Sequence, residues 1–168
     1  AMKENELYLV YQPKFSSYSQ CIDGLETLLR WNHPKYGNLS PAVFVPILEE
    51  YDRMVKVTDW IIDGVCKQIA SWKLEDISFK QVAINIPGEY ITSPLLLRVF
   101  TEKLSEYGLE PSQIELEITE NSFVKNVEEA MRAVSKFREE GFSVALDDFG
   151  TGVSSLSYLK EMPISTLK

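Results

Sequence analysis

Two adjacent acids, Asp147 and Asp148, follow the apolar run Val144-Ala145-Leu146 and lead into a turn carrying Gly150 and Gly152. The run fits a strand buried on both faces. Acids placed where such a strand opens into a loop can point into a mouth and hold a hard cation. An Asp pair that merely begins a solvated turn is the plain alternative. Repetition argues against it, because other strands in the chain also carry an acid or an amide.

The elements that would position these groups alternate. Gln81–Pro87 reads as a strand carrying Asn85, followed by a helix near Ser93–Tyr107. Gln113–Glu120 reads as a strand with Glu115, Glu117 and Thr119 on one face and Ile114, Leu116 and Ile118 on the other. A helix near Asn126–Glu140 follows, then the strand ending at the Asp pair, a short helix near Ser154–Lys160 and a last strand at the terminus. Strands and helices in alternation, joined by short connections, imply parallel strands covered by helices. In an open sheet the acids would face water; in a closed barrel they would line the interior, where a carboxylate near the mouth is a ligand candidate. Glu120 lies one pleat position off and reads as a loop anchor.

The first third differs. Leu7–Phe15 and Cys21–Trp31 read as strands rich in aromatic and branched residues. The Ser16–Gln20 link is too short for a parallel crossover, so these two should be antiparallel neighbours. Glu26 and Arg30 interrupt the second strand; such charges ordinarily face solvent or pair with each other. Asn32–Leu39 reads as a loop. Ser40-Pro41 starts a helix, with Ser as N-cap, and a second packing helix runs near Lys56–Trp72.

Composition narrows the chemistry. A chain of 168 residues with 45% hydrophobic content is ordinarily one domain with a sizeable core. No apolar run approaches the roughly 18–20 residues of a membrane-spanning helix, and no secretory signal is evident. The net charge of −8 argues against polymeric nucleic acid or an anionic membrane as partner. A small anionic ligand stays open, since a metal reverses the local sign. Cys21 and Cys66 have no metal-ligand spacing and read as reduced core thiols of a cytoplasmic protein. His33 is the only histidine, so a zinc site built on two or three histidines cannot form. Metal chemistry must use oxygen ligands, which favours Mg²⁺, Mn²⁺ or Ca²⁺.

Read in order, Y-Q-P, L-E-T-L-L-R-W-N-H-P, N-I, E-I-T-E-N, L-D-D-F-G-T-G and the terminal L-K resemble the EAL-type cyclic-di-GMP phosphodiesterases along essentially the whole chain. The resemblance implies an α/β fold, a (β/α)8 TIM-type barrel with an antiparallel first strand. It implies Mg²⁺- or Mn²⁺-dependent hydrolysis of cyclic di-GMP to linear pGpG. By position it implies Glu26, Asn85, Glu117, Asp147 and Asp148 as metal ligands, and Lys168 as the group that orients or activates the attacking water. Gln12, Leu28 and Arg30 match positions that hold the dinucleotide. Glu120 and the loop Phe149-Gly150-Thr151-Gly152, continuing to Ser155, match the segment coupling the metal site to a dimer interface. Two hard cations about 3.5–4 Å apart would neutralise a phosphodiester and acidify a bridging water. Arg30 could grip a phosphate oxygen.

Departures from the pattern are visible. Thr27 stands where the signature has Ala, Pro87 follows Asn85-Ile86 where Ser is frequent, and Val153 replaces an aromatic. About six of eight strands are counted, so residues 1–168 are expected to lack the last two strand–helix units of the domain, since a full barrel takes about 200 residues or more. The expected partners are cyclic di-GMP, a second copy of the chain, and an upstream sensory or GGDEF domain. Two other functions compete. One is an EAL-like domain that senses cyclic di-GMP without cleaving it; the other is an unrelated metal-dependent barrel enzyme of aldolase or enolase type.

Overall fold

The computed structural model describes residues 2–4, 6–16, 20–119, 126–147 and 163–167. Strand β1 (Leu7–Phe15) turns back into β2 (Ile22–His33), and the two pair antiparallel, as the short link requires. Ser16 closes the turn: its N–H donates to Cys21 O at 3.0 Å and its carbonyl accepts from Gln20 N at 2.9 Å. Strands β4 (Gln81–Asn85), β5 (Ile114–Thr119), β6 (Ser143–Asp147) and β7 (Thr166–Leu167) then add in sequence, each parallel to the one before. The sheet order is β1-β2-β4-β5-β6-β7.

A three-residue strand, β3 (Gly37–Leu39), pairs with the end of β2. The sequence reading placed a loop over Asn32–Leu39. The extension arises because Gly37 takes a left-handed φ of +68° and folds the chain back on itself.

Helices α1 (Pro41–Glu50) and α2 (Met54–Leu74) join β2 to β4. Helices α3 (Gly88–Ile91) and α4 (Pro94–Tyr107) join β4 to β5, and α5 (Val127–Glu139) precedes β6. Helix α4 carries its own punctuation: Ser93 Oγ accepts from Leu95 N at 3.3 Å, Pro94 opens the first turn, and Gly108 closes it at φ +64°. Helix α5 is capped by Asn126, whose Oδ1 accepts from Glu129 N at 3.2 Å. Its first turn holds Glu128 and Glu129 and its last Lys136 and Arg138, in the sense the helix dipole favours. Ser40 stands at the N-cap of α1, but its side chain makes no capping bond; Pro41 supplies the pre-set φ instead. The short helix expected near Ser154–Lys160 lies outside the described residues.

Alternation assigns the two faces of the sheet different work. Val82, Ile84, Ile114, Leu116, Ile118, Val144 and Leu146 are buried against α2, α4 and α5 through Ile62, Val65, Ile69, Leu96, Phe100, Val134 and Phe137. Cys66 belongs to this core. Cys21 does not: it is exposed beside the β1–β2 turn, contrary to its reading as a core thiol. Burial, with the Asp63 charge adding to it, pushes the Cys66 thiol up to about 12. Among the described residues no helix is long and apolar enough to cross a membrane.

Candidate functional site

The second face of the sheet carries the polar residues. Cross-strand partners point to the same side, so one face collects Gln12, Glu26, Ala83, Glu115 and Ser143 along one row of register. The next row holds Asn85, Glu117, Ala145 and Thr166, and beyond it Thr119 pairs with Asp147. Glu26, Asn85, Glu117 and Asp147 therefore share one face near the C-terminal ends of parallel strands, as the barrel reading expects. Asn85 Nδ2 donates to Glu26 Oε1 at 3.3 Å. Glu117 is buried, Glu26 and Asp147 are half-buried, and Asn85 is exposed at the strand end. Glu26 thus does not lie out in solvent, and it accepts from Asn85 on the neighbouring strand.

Leu28 and Arg30 follow Glu26 on the same face of β2, two and four residues on. Arg30 Nη1 donates to Leu29 O at 3.0 Å, which holds the guanidinium against its own strand. Gln12 is exposed opposite Glu26. Asp148, Phe149, Gly150, Thr151, Gly152, Glu120 and Lys168 lie outside the described residues.

Sequence reasoning placed Glu115 on this face but missed the partners beneath it, Lys14 and Gln81. Lys14 Nζ bonds Glu115 Oε1 and lies 3.1 Å from Glu117 Oε1, while Gln81 Nε2 donates to Glu115 Oε2 at 2.6 Å. Glu115 and Gln81 are buried, and the Lys14 side chain is only 25% exposed. Burial alone pulls the Lys14 ammonium down; its hydrogen bond to Glu115 and the charges of Glu117 and Glu115 outweigh that, and the net shift is upward. The available signal was alternation: Lys14 lies two residues after Gln12 and must share its face. Thr27, the departure from the E-A-L signature, points to the opposite face and is buried, so its hydroxyl is not aimed at the acids.

The described acids on this face, Glu26, Glu115, Glu117 and Asp147, outnumber its described cations, Lys14 and Arg30. Hard oxygen donors of this kind, from separate strands, suit Mg²⁺ or Mn²⁺ in type. Among the described residues no three acidic, histidine or cysteine side chains are gathered closely enough to form a cage by themselves. Asp148, next to Asp147, is outside that comparison.

Comparison with known proteins places this face in a family. The bifunctional diguanylate cyclase/cyclic di-GMP phosphodiesterase MucR of Pseudomonas aeruginosa is 33% identical over the whole chain, and the signaling protein YkoW of Bacillus subtilis 38%. The chain spans 24% and 21% of the length of these relatives. The solved complex of the PaMucR phosphodiesterase with c-di-GMP superposes with a TM-score of 0.93 at 32% identity, over 99% of this chain and 68% of that one. Such EAL domains are TIM-type barrels, so the antiparallel first strand and the parallel strands after it are the corresponding portion of that barrel. Phosphodiesterases of this family depend in general on divalent metal. The EAL domain profile matches residues 1–168, and with the acids in strand order on one barrel face, the chain belongs to the EAL domain family.

Proposed function

We propose that the protein of which this chain forms the EAL domain hydrolyses cyclic di-GMP to linear pGpG, with Mg²⁺ or Mn²⁺ bound in a two-metal site. The observation that carries this reading is the alignment of Glu26, Asn85, Glu117 and Asp147 on one face at the C-terminal ends of adjacent strands. Named relatives that are cyclic di-GMP phosphodiesterases support the substrate. Residues 1–168 are read as the larger part of the domain, with two strand–helix units still to be supplied.

In this reading Glu26, Asn85, Glu117, Asp147 and Asp148 hold the metal. Bound divalent cations supply neutralisation of the phosphodiester and a water acidic enough to attack at neutral pH. The chain's own residues do the rest. Asn85 donates to Glu26 and so fixes which carboxylate oxygen is turned toward the mouth. Arg30, on the same face of β2, contributes a fork of donors to a phosphate oxygen, with Gln12 and Leu28 flanking the dinucleotide. Lys168 would orient or activate the attacking water. Glu120 and Phe149-Gly150-Thr151-Gly152 couple the site to a homodimer contact, and a sensory or GGDEF domain supplies the regulatory input.

Incubation of the protein with cyclic di-GMP and Mn²⁺ or Mg²⁺, with products resolved by chromatography, tests the proposal. Linear dinucleotide that disappears in Asp147→Asn supports it. Tight binding of cyclic di-GMP without product, in a protein carrying the complete domain, would establish a sensor instead.

A further inference from the structure

Strands β1 and β5 are not neighbours, since β2 and β4 stand between them. Lys14 nevertheless reaches from β1 to Glu115 and Glu117 on β5, a chord across the concave face joining residues 101 and 103 apart in sequence. The Lys14 stem runs past Gly24 on β2. That glycine is the register partner of Lys14, and the space where its Cβ would stand is 3.6 Å from Lys14 Cε. Gln81 on β4 holds the other oxygen of Glu115. Four strands thus contribute to one small network beneath the acids of the mouth.

We propose that Lys14 is a positioning residue for the metal site: its ammonium, anchored on Glu115, holds the carboxylate of Glu117 in the orientation that receives the cation. This rests on the reading of Glu117 as a metal ligand. Groups that orient a ligand commonly matter nearly as much as the ligand, and their loss costs about 10–100-fold in metal affinity. An opposing effect exists, because an ammonium close to a cation repels it. Glu115 accepts from the same ammonium as Glu117, so its negative charge offsets that repulsion and the orienting effect dominates.

The test is Mn²⁺ binding to the protein, followed by the electron paramagnetic resonance signal of free Mn²⁺, with thermal unfolding of the same samples. Lys14→Met is expected to weaken Mn²⁺ binding about 10- to 100-fold, and Lys14→Arg to recover much of the loss. The double variant Lys14→Met with Glu115→Gln removes both buried charges. It is expected to regain thermal stability while Mn²⁺ binding stays weak, because Glu117 still lacks its tie. That variant decides the matter even where Lys14→Met alone does not fold. Wild-type Mn²⁺ affinity in either variant overturns the proposal. Glu117→Gln separates the two readings: unchanged Mn²⁺ binding in that variant overturns the ligand role, and the Lys14 role with it. Loss of binding there, with wild-type binding in Lys14→Met, overturns the Lys14 role alone.

Discussion

Asn85 on β4 donates to Glu26 on β2 across 3.3 Å although the two residues are offset in register, Glu26 pairing with Ala83. The diagonal contact is one that neighbouring strands allow when the side chains are long enough. It joins the first acid of the face to the amide at the strand end and turns both toward the mouth.

Asn85→Ala removes that donor and one proposed ligand oxygen together. Release of linear dinucleotide is expected to fall at least about 10- to 100-fold, the range for loss of an orienting partner. Asn85 is exposed, so the unfolding midpoint should hardly move, surface changes being ordinarily within about 0.5 kcal/mol. Parallel measurement of rate and urea midpoint checks this. A drop in stability as large as the drop in rate would mean that Asn85 serves the fold.

Gly24 and Gly64 make a matched pair. A Cβ at Gly24 would sit 2.8 Å from the backbone carbonyl of Gln81, which cannot move without disturbing the β2–β4 pairing. Gly24→Ala is expected to cost about 1–3 kcal/mol, the range for overpacking. A Cβ at Gly64 meets only Leu9 Cδ1, at 3.0 Å, the end of a side chain that can shift. There the helix gains up to about 1 kcal/mol of propensity, so Gly64→Ala should be near neutral or stabilising. Denaturant unfolding of the two variants should rank them in that order, and the reverse ranking would refute the steric account.

Cys66 makes stability depend on alkaline pH. Its thiol is raised from 9.0 to about 12 in the folded protein, chiefly by burial. Between those values the unfolded chain has lost the proton while the folded one keeps it, so the folded state binds more protons and stability falls as pH rises. One such group contributes a slope of up to about 1.4 kcal/mol per pH unit. Tyr11, raised to about 12 by burial, adds to it above pH 10. Unfolding free energies at pH 8 and 10.5 should therefore diverge more in the wild type than in Cys66→Ala. Equal losses in the two proteins would remove Cys66 from the explanation.

What could be read from the sequence followed from periodicity and spacing. The five-residue link Ser16–Gln20 fixed β1 and β2 as antiparallel, and alternation in Gln113–Glu120 put Glu115 and Glu117 on one face, as observed. The Lys14 chord was not legible, because nothing local announces a contact between residues 101 apart on strands that are not neighbours in the sheet. Strand β3 was missed because three residues are too few to show a period, and its pairing is set by the turn at Gly37. Cys21 was misplaced for a different reason. The lack of metal-ligand spacing suggested a core thiol, but spacing says nothing about burial, and Cys21 stands at the exposed turn end of the hairpin.

A cluster of three rings sits at the end of β6 opposite Asp147. Phe142, just before the strand, packs edge-on to Phe100 of α4 and Phe137 of α5, with ring centroids 5.2 and 5.5 Å away. All three rings are buried, and edge-to-face pairs of this kind add to the burial of apolar area. Phe100→Ala should cost about 3–5 kcal/mol, a large share of the roughly 5–15 kcal/mol that holds a domain together. Phe100→Leu keeps most of the volume and should cost much less, so its folded fraction stays high. Denaturant titration gives both values, and Mn²⁺ affinity measured on the folded Phe100→Leu protein separates stability from site geometry. If the cluster acts only by holding β6 against α4 and α5, Phe100→Leu binds Mn²⁺ like the wild type. A weakened affinity in a fully folded Phe100→Leu protein would show instead that the register of β6, and with it Asp147, is tuned by the exact shape of this ring.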